Sequence, residues 1–127
     1  MPKDHKRTII EKYIKAYNNF EIDEMLSVIH PDIEFKNISG DVVNVTASCI
    51  EEFQKLAVDS KKLFSSRKQT ITEYTEKEDQ AFIQVDYQAV LAENLPNGMK
   101  VGEILSLVGR SEFTFRDDKI YRIVDIS

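Results

Sequence analysis

Two long segments between Asp79 and Arg116 alternate apolar and polar side chains, which is the period of strands with one buried face. The first apolar stripe consists of Ala81, Ile83, Val85, Tyr87, Ala89 and Leu91. The second consists of Leu105, Leu107, Gly109, Ser111, Phe113 and Phe115. Between them, the sequence Leu-Pro-Asn-Gly at 95–98 predicts the turn of an antiparallel hairpin, because proline fixes φ and Asn-Gly tolerates positive φ. Strands of this length predict a strongly curved sheet whose concave side encloses other elements.

Three segments of the N-terminal half carry apolar residues at the spacing of an amphipathic helix. Their stripes comprise Ile9, Ile10, Tyr13, Ile14 and Tyr17, then Ile22, Met25, Leu26 and Ile29, then Ile50, Phe53, Leu56, Ala57, Ser60 and Leu63 or Phe64. Asp4 is a suitable N-cap for the first helix, and the His-Pro pair at 30–31 is expected to end the second. The third helix is capped either by Thr46 or by Ser48, which has capping-box spacing to Glu51.

The remaining segments predict strands joined by polar turns. Strands are expected over residues 32–37, 42–45, 69–74 and 120–126, in addition to the long hairpin. The order of helices and strands indicates an α+β fold, with helices segregated to one side of an antiparallel sheet. The 127 residues are expected to form a single domain over the whole chain, 1–127.

The composition argues against a membrane protein or a nucleic-acid-binding protein. Hydrophobic residues make up 42 % of the chain, but no apolar run approaches the ~20 residues of a membrane-spanning helix. The polar N-terminus lacks the features of a signal peptide, so a cytoplasmic location is the expectation. The net charge is −5, and the basic pairs at 61–62 and 67–68 are expected to be solvated helix ends. We therefore expect neither a nucleic-acid partner nor a membrane partner.

The chain offers few residues for a metal or redox cofactor. Cys49 is the single cysteine, which excludes an intramolecular disulfide and a thiolate metal cluster. His5 and His30 are isolated histidines, and neither has the spacing of a zinc site. We expect no bound metal and no other cofactor.

Three segments carry a likeness to a known family. They are Glu-Lys-Tyr-Ile-Lys-Ala-Tyr-Asn-Asn at 11–19, His-Pro-Asp-Ile-Glu-Phe at 30–35 with Gly40 after it, and Phe-Thr-Phe-Arg-Asp-Asp-Lys-Ile at 113–120. With the order of elements, the chain resembles the nuclear transport factor 2-like superfamily, in the branch of ketosteroid isomerases and SnoaL-type polyketide cyclases. The resemblance implies a cone-shaped, cystatin-like fold, in which a curved, mixed and mainly antiparallel sheet wraps three N-terminal helices around an apolar pocket. It also implies a homodimer formed through the convex face of the sheet.

The catalytic positions of a ketosteroid isomerase can be carried over one residue at a time. The resemblance places its tyrosine of the first helix at Tyr13, its general-base aspartate at Asn37, and its protonated aspartate at Ser111. An amide cannot remove a proton from carbon near neutral pH, and a serine hydroxyl is a weaker oxyanion donor than a neutral carboxylic acid. Steroid isomerisation is therefore not expected. What the resemblance still implies is a row of polar groups in the pocket.

Several residues are candidates for the pocket wall. Tyr13 and Tyr17 lie one helical turn apart, so they present two hydroxyl groups to a ligand carbonyl or serve as core aromatics. Asn37 shares the parity of Ile33 and Phe35, which points it inward, although asparagine at a strand end also bonds its own turn. The expected ligand-binding residues are Tyr13, Tyr17, Asn37, Phe53, Ser111 and Phe113.

Asp125 is the carboxylate that we nominate for acid–base chemistry. If the odd-numbered residues of the last strand face inward, Asp125 is buried with Tyr121 and Ile123, and burial raises the pKa of a carboxyl group. If the even-numbered residues face inward instead, Val124 and Ile126 are buried and Asp125 is in solvent. The pattern favours this second arrangement.

Two functions are compatible with these residues. The leading hypothesis is a protein that binds a small apolar ligand and, if it is an enzyme, performs isomerisation, cyclisation, dehydration or hydrolysis without a cofactor. Tyr13 then donates a hydrogen bond and Asp125 transfers the proton. The alternative is a non-catalytic interaction or dimerisation module with a cavity filled by its own side chains. The residues that would fill it are Phe35, Phe53, Tyr87, Phe113 and Phe115.

Overall fold

The computed structural model describes residues 5–96 and 98–127. Its elements are α1 (His5–Asn18), α2 (Ile22–Leu26), β1 (Ile29–Ser39), β2 (Val42–Ala47), α3 (Ile50–Lys61), β3 (Phe64–Lys77), β4 (Gln80–Leu91), β5 (Ile104–Arg116) and β6 (Lys119–Ile126). Asp4, the expected cap of the first helix, and Asn97, in the expected hairpin turn, lie outside the described residues. Within the described part of the chain, no helix has the length and apolar character needed to cross a membrane.

The six strands form one sheet in the order β2-β1-β6-β5-β4-β3. β1 and β6 run parallel, and the other neighbouring pairs are antiparallel. The helices pack against one face of this sheet, where Ile10, Ile33 and Phe113 are among the least exposed side chains of a continuous apolar core. The predicted α+β fold, with three helices packed in a curved, mixed and mainly antiparallel sheet, is confirmed.

β4 and β5 form the long hairpin in unbroken antiparallel register. The inward stripe predicted for β4 is confirmed, because each of its positions is buried or half-buried. In β5 the stripe is buried from Gly109 to Phe115, while Leu105 and Leu107 are more exposed. The predicted turn at 95–98 is only part of a longer connection, residues 92–103, because β4 ends at Leu91 and β5 begins at Ile104.

The second helix is shorter than predicted, and the first strand is longer. α2 ends at Leu26 and β1 already begins at Ile29, so the pair at 30–31 lies within a strand. Ile29 pairs with Ile120 of β6, and the residue before a proline adopts extended backbone readily. The His-Pro pair therefore continues a strand instead of ending a helix.

The cap predicted for the third helix is wrong. Thr46 is still paired within β2, so α3 begins only after Ser48, at Ile50. The expected capping box is also wrong, because the carboxylate of Glu52, not of Glu51, accepts a hydrogen bond of 2.7 Å from the Ser48 backbone amide. Strand pairing of the preceding residues delays the start of the helix.

β3 begins at Phe64, five positions before the predicted start at Gln69. Arg67 is therefore a strand residue, paired with Ala89 of β4. The expectation that Arg67 belongs to a solvated helix end is wrong, since its side chain is only 4 % exposed. Its neighbour Lys68 is exposed, as alternation along a strand requires.

Candidate functional site

A cavity of about 580 Å³ lies between the helices and the concave face of the sheet. It is lined by most of the residues predicted for the site: Tyr13, Tyr17, Asn37, Phe53, Ser111 and Asp125. Phe113 instead belongs to the core, with 1 % exposure and its ring edge-on to Tyr13. Phe35, Phe53 and Tyr87 line the cavity and leave its volume open.

Three polar residues form a row across the wall of this cavity. Asp125 of β6 pairs with Asn37 of β1 on one side and with Ser111 of β5 on the other. The Ser111 hydroxyl donates a hydrogen bond of 2.6 Å to Oδ1 of Asp125. Asp125 lines the cavity together with Asn37 and Ser111. The prediction that the Asp125 side chain faces solvent is therefore wrong. Val124 is buried as well, so the apolar pattern of this strand does not distinguish the two parities.

Burial in this wall changes the acidity of Asp125. Desolvation raises the pKa of Asp125 from 3.8 to about 6, and the hydrogen bond from Ser111 opposes the shift. Both the carboxylate and the carboxylic acid are therefore populated close to neutral pH. A carboxyl group in this state can accept a proton and return it.

Tyr13 brings a protonated phenol to the same cavity. Its ring lies 6.5 Å from that of Phe53 and 6.2 Å from that of Phe113, measured between centroids. Burial, followed by the charge of Asp125, raises the pKa of Tyr13 well above its usual value. The hydroxyl therefore keeps its proton and can donate it in a hydrogen bond to a ligand oxygen.

Tyr17 is held by a partner that the sequence did not indicate. Its hydroxyl and that of Tyr87 form a hydrogen bond of 2.9 Å. Burial raises the pKa of both phenols, so both stay protonated. The inward stripe of β4 predicts the orientation of Tyr87, but the pairing of residues on two distant elements leaves no local signal.

Arg67 is a further cavity residue that the sequence interpretation missed. Its Nε donates a hydrogen bond of 2.8 Å to the backbone carbonyl of Tyr17, and its guanidinium lies 3.6 Å from the centre of the Tyr17 ring. Alternation along β3 indicates that the Arg67 side chain faces inward. Arg67 is an even number of positions from Gln69 and Ile71, and such residues lie on the same face of a strand. A polar residue in an inward position breaks the apolar pattern, and this hides the start of the strand.

The polar groups that line the cavity are carboxyls, hydroxyls, amides and the guanidinium groups of Arg67 and Arg110. Asp125 can transfer a proton, while Tyr13 can donate a hydrogen bond to an oxygen on which negative charge develops. Among residues 5–96 and 98–127, no cluster of three histidine, cysteine or carboxylate side chains could hold a metal ion.

Solved structures share this fold at low sequence identity. A SnoaL-like protein from Jannaschia sp. CCS1, a proposed polyketide cyclase, aligns with a TM-score of 0.83 and 12% identity over 98% of this chain and 87% of its own. IdmH from Streptomyces antibioticus, also a proposed polyketide cyclase, gives 0.78 and 14% over 94% and 89%. AclR from Streptomyces galilaeus, a proposed hydroxylase, gives 0.74 and 18% over 94% and 85%.

Sequence comparison identifies the family. No curated protein sequence matches this chain significantly. The SnoaL-like domain matches residues 10–123, which is most of the chain and includes every strand but the end of β6. The protein therefore belongs to the SnoaL-like domain family of the nuclear transport factor 2-like superfamily.

Proposed function

We propose that this protein binds a small, mainly apolar molecule in the cavity and changes it by acid–base chemistry that needs no cofactor. The observation that carries the proposal is the Asp125 carboxyl, which is hydrogen-bonded to Ser111 in an otherwise largely apolar wall. Reactions of this class include isomerisation, cyclisation and dehydration. The likeness to proposed polyketide cyclases supports a small-molecule substrate.

The chemistry follows from the roles that the side chains can take. The Asp125 carboxylate removes a proton from a carbon next to a ligand carbonyl, and the electron pair of the broken C–H bond moves onto the carbonyl oxygen. The Tyr13 hydroxyl donates a hydrogen bond to that oxygen as its negative charge grows. The protonated Asp125 then returns the proton to another atom of the same ligand. Steroid isomerisation is not part of the proposal, because Asn37 and Ser111 occupy the positions where the family resemblance expects acids.

Binding of an apolar carbonyl compound tests the first part of the proposal. We expect 2-acetonaphthone at about ten times its Kd to raise the Tm by about 5 °C, because a ligand that binds only the native state stabilises it. Tyr13→Phe and Asn37→Leu should each weaken binding by about threefold to tenfold, since each removes one hydrogen bond. Differential scanning fluorimetry and titration calorimetry give both quantities.

Matched variants distinguish the site from general effects of substitution. Tyr121→Phe changes a phenol that packs against His30, and Asn44→Leu changes an exposed amide of β2. Both should bind 2-acetonaphthone like the wild type. If Tyr13→Phe and Asn37→Leu also bind like the wild type, the proposed site is wrong.

We also propose that two chains associate through the convex face of the sheet. Exposed apolar side chains on β5 support this, because Ile104 is 67 % exposed and Val108 is 59 % exposed. Val90 pairs with Ile104 on the adjacent strand and extends the same face. Apolar side chains grouped on a sheet face are typical of an interface between proteins. The alternative, non-catalytic function would use the same dimer.

Charged substitutions on this face should separate the two chains. We expect Ile104→Glu combined with Val108→Glu to convert a dimer into a monomer, because each carboxylate would be desolvated in the interface. Light scattering coupled to size-exclusion chromatography measures the mass. Val58→Glu, at an exposed position of α3, should leave the dimer intact. A monodisperse dimer of the double variant would place the interface elsewhere.

A further inference from the structure

The proposed acid–base site leaves one buried charge without a role. The guanidinium of Arg67 belongs to a side chain that is 4 % exposed. Among the described residues, no carboxylate lies within the 4.0 Å of an ion pair with it. A buried cation that lacks an anionic partner is costly, and proteins usually pair such groups.

The contacts of Arg67 satisfy only part of its guanidinium. Nε donates to the Tyr17 carbonyl at 2.8 Å, and Nη1 lies 3.4 Å from the Ser60 hydroxyl, which is long for a hydrogen bond. Nη2 is buried and has no hydrogen-bond partner in the part of the chain that the structure describes. The rings of Tyr17 and Phe20, 3.6 and 4.5 Å away, contribute cation–π attraction but accept no hydrogen bond.

Helix α1 compensates the charge incompletely. The carbonyl of Tyr17 is in its last turn, where the helix dipole presents roughly half a negative charge. A full positive charge therefore exceeds what the backbone supplies. Arg67 lines the cavity and also a second pocket beside α1 and β3. Ser60, which Nη1 contacts, lines the cavity and not the second pocket, so the cavity is the side from which a further partner can reach this end of the guanidinium.

We infer that the ligand of this cavity carries a carboxylate, which is held at the end formed by Arg67 and Ser60. The inference rests on the proposed function, because it names the class of molecule that the same cavity takes. Ser60 lines the cavity and its weak contact with Nη1 leaves the hydroxyl able to donate to an incoming carboxylate. A guanidinium suits this partner because its planar set of donors matches the two oxygens of a carboxylate.

The charges in the cavity also orient such a ligand. Arg67 is on β3 and Asp125 is on β6, and β5 and β4 lie between them in the sheet, so the two charges are in different parts of the cavity wall. Asp59 and Arg110 also line the cavity, but both are exposed, so solvent screens their charges. A carboxylate is attracted by buried Arg67 and repelled by ionised Asp125. It therefore occupies the Arg67 end and leaves the apolar part of the ligand beside Tyr13 and Asp125, where the proposed chemistry takes place.

Two isosteric probes test the inference on the full chain. 2-Naphthoate and 2-naphthamide share size and shape but differ in charge. We expect the wild type to bind 2-naphthoate at least about tenfold more tightly than 2-naphthamide at pH 7.5, a difference typical of a charge-assisted contact. In Arg67→Gln the ratio of the two affinities should fall to about one, while Arg67→Lys should keep part of the preference. Lys68→Gln, which removes an exposed charge from the next position, should behave like the wild type.

The outcomes separate this inference from the function on which it rests. Equal binding of 2-naphthoate and 2-naphthamide by the wild type would overturn the inference that the ligand carries a carboxylate. The proposed function would remain, with a cavity that binds neutral molecules. Absence of binding by both probes and by 2-acetonaphthone would overturn the proposed function itself. The wild-type comparison needs no variant, so it decides the matter even if Arg67→Gln fails to fold.

Discussion

Replacing Phe113 with alanine is expected to lower the free energy of unfolding by about 3–5 kcal/mol, the range for deletion of a buried aromatic ring. Phe113 is 1 % exposed, and its neighbours across the sheet are Ala81 and Ile123, which are also buried. Its ring packs edge-on against Tyr13, so the deletion removes contacts between helix and sheet. Urea unfolding followed by circular dichroism measures the loss.

Phe82 provides the matched control. It lies on β4 opposite Glu112, one position from Ala81 and therefore on the other face of the sheet, where it is only half-buried. Phe82→Ala should cost about 1 kcal/mol, because most of the deleted surface is already close to solvent. If Phe113→Ala costs no more than Phe82→Ala, Phe113 is not the core residue described here.

The long hairpin explains why the fold could be predicted from sequence. Alternation along a strand is set by covalent geometry, so two paired stripes fix which side chains face inward, as at Ile83 and Phe113. The start of β3 could not be predicted in the same way. Residues 65–68 are two serines, an arginine and a lysine, and the inward member of this set is Arg67. A polar inward residue interrupts the apolar alternation that defines a strand.

The candidate site was predictable to the extent that it depends on single elements. Tyr13 follows from the stripe of one helix, and Asn37 and Ser111 from the parity of their strands. Asp125 required the register between β5 and β6, because apolar residues occupy both faces of the last strand. The contact between Tyr17 and Tyr87 joins residues 70 positions apart, and no local pattern carries that information.

Replacing Asp125 with asparagine is expected to stabilise the fold at neutral pH but not at acidic pH. The pKa of Asp125 is raised from 3.8 to about 6 by burial, so the native state binds its proton more tightly than the unfolded chain. Stability linked to this group is full below pH 3.8 and is lost as the pH rises through about 6. Above about pH 6, the ionised Asp125 carboxylate therefore lowers the free energy of unfolding, by about 2–3 kcal/mol at most.

The pH dependence distinguishes this effect from an ordinary change in packing. At pH 7.5, Asp125→Asn should be more stable than the wild type by up to about 2–3 kcal/mol, and at pH 3 the difference should nearly vanish, because Asp125 is then protonated in both the native and the unfolded chain. Asp86→Asn, on the exposed face of β4, should show no such change between the two pH values. A difference for Asp125→Asn that is equal at both pH values would mean that the carboxyl is solvated. A gain confined to neutral pH would show that the chain retains a carboxylate where an amide is more stable, as expected of a group kept for proton transfer.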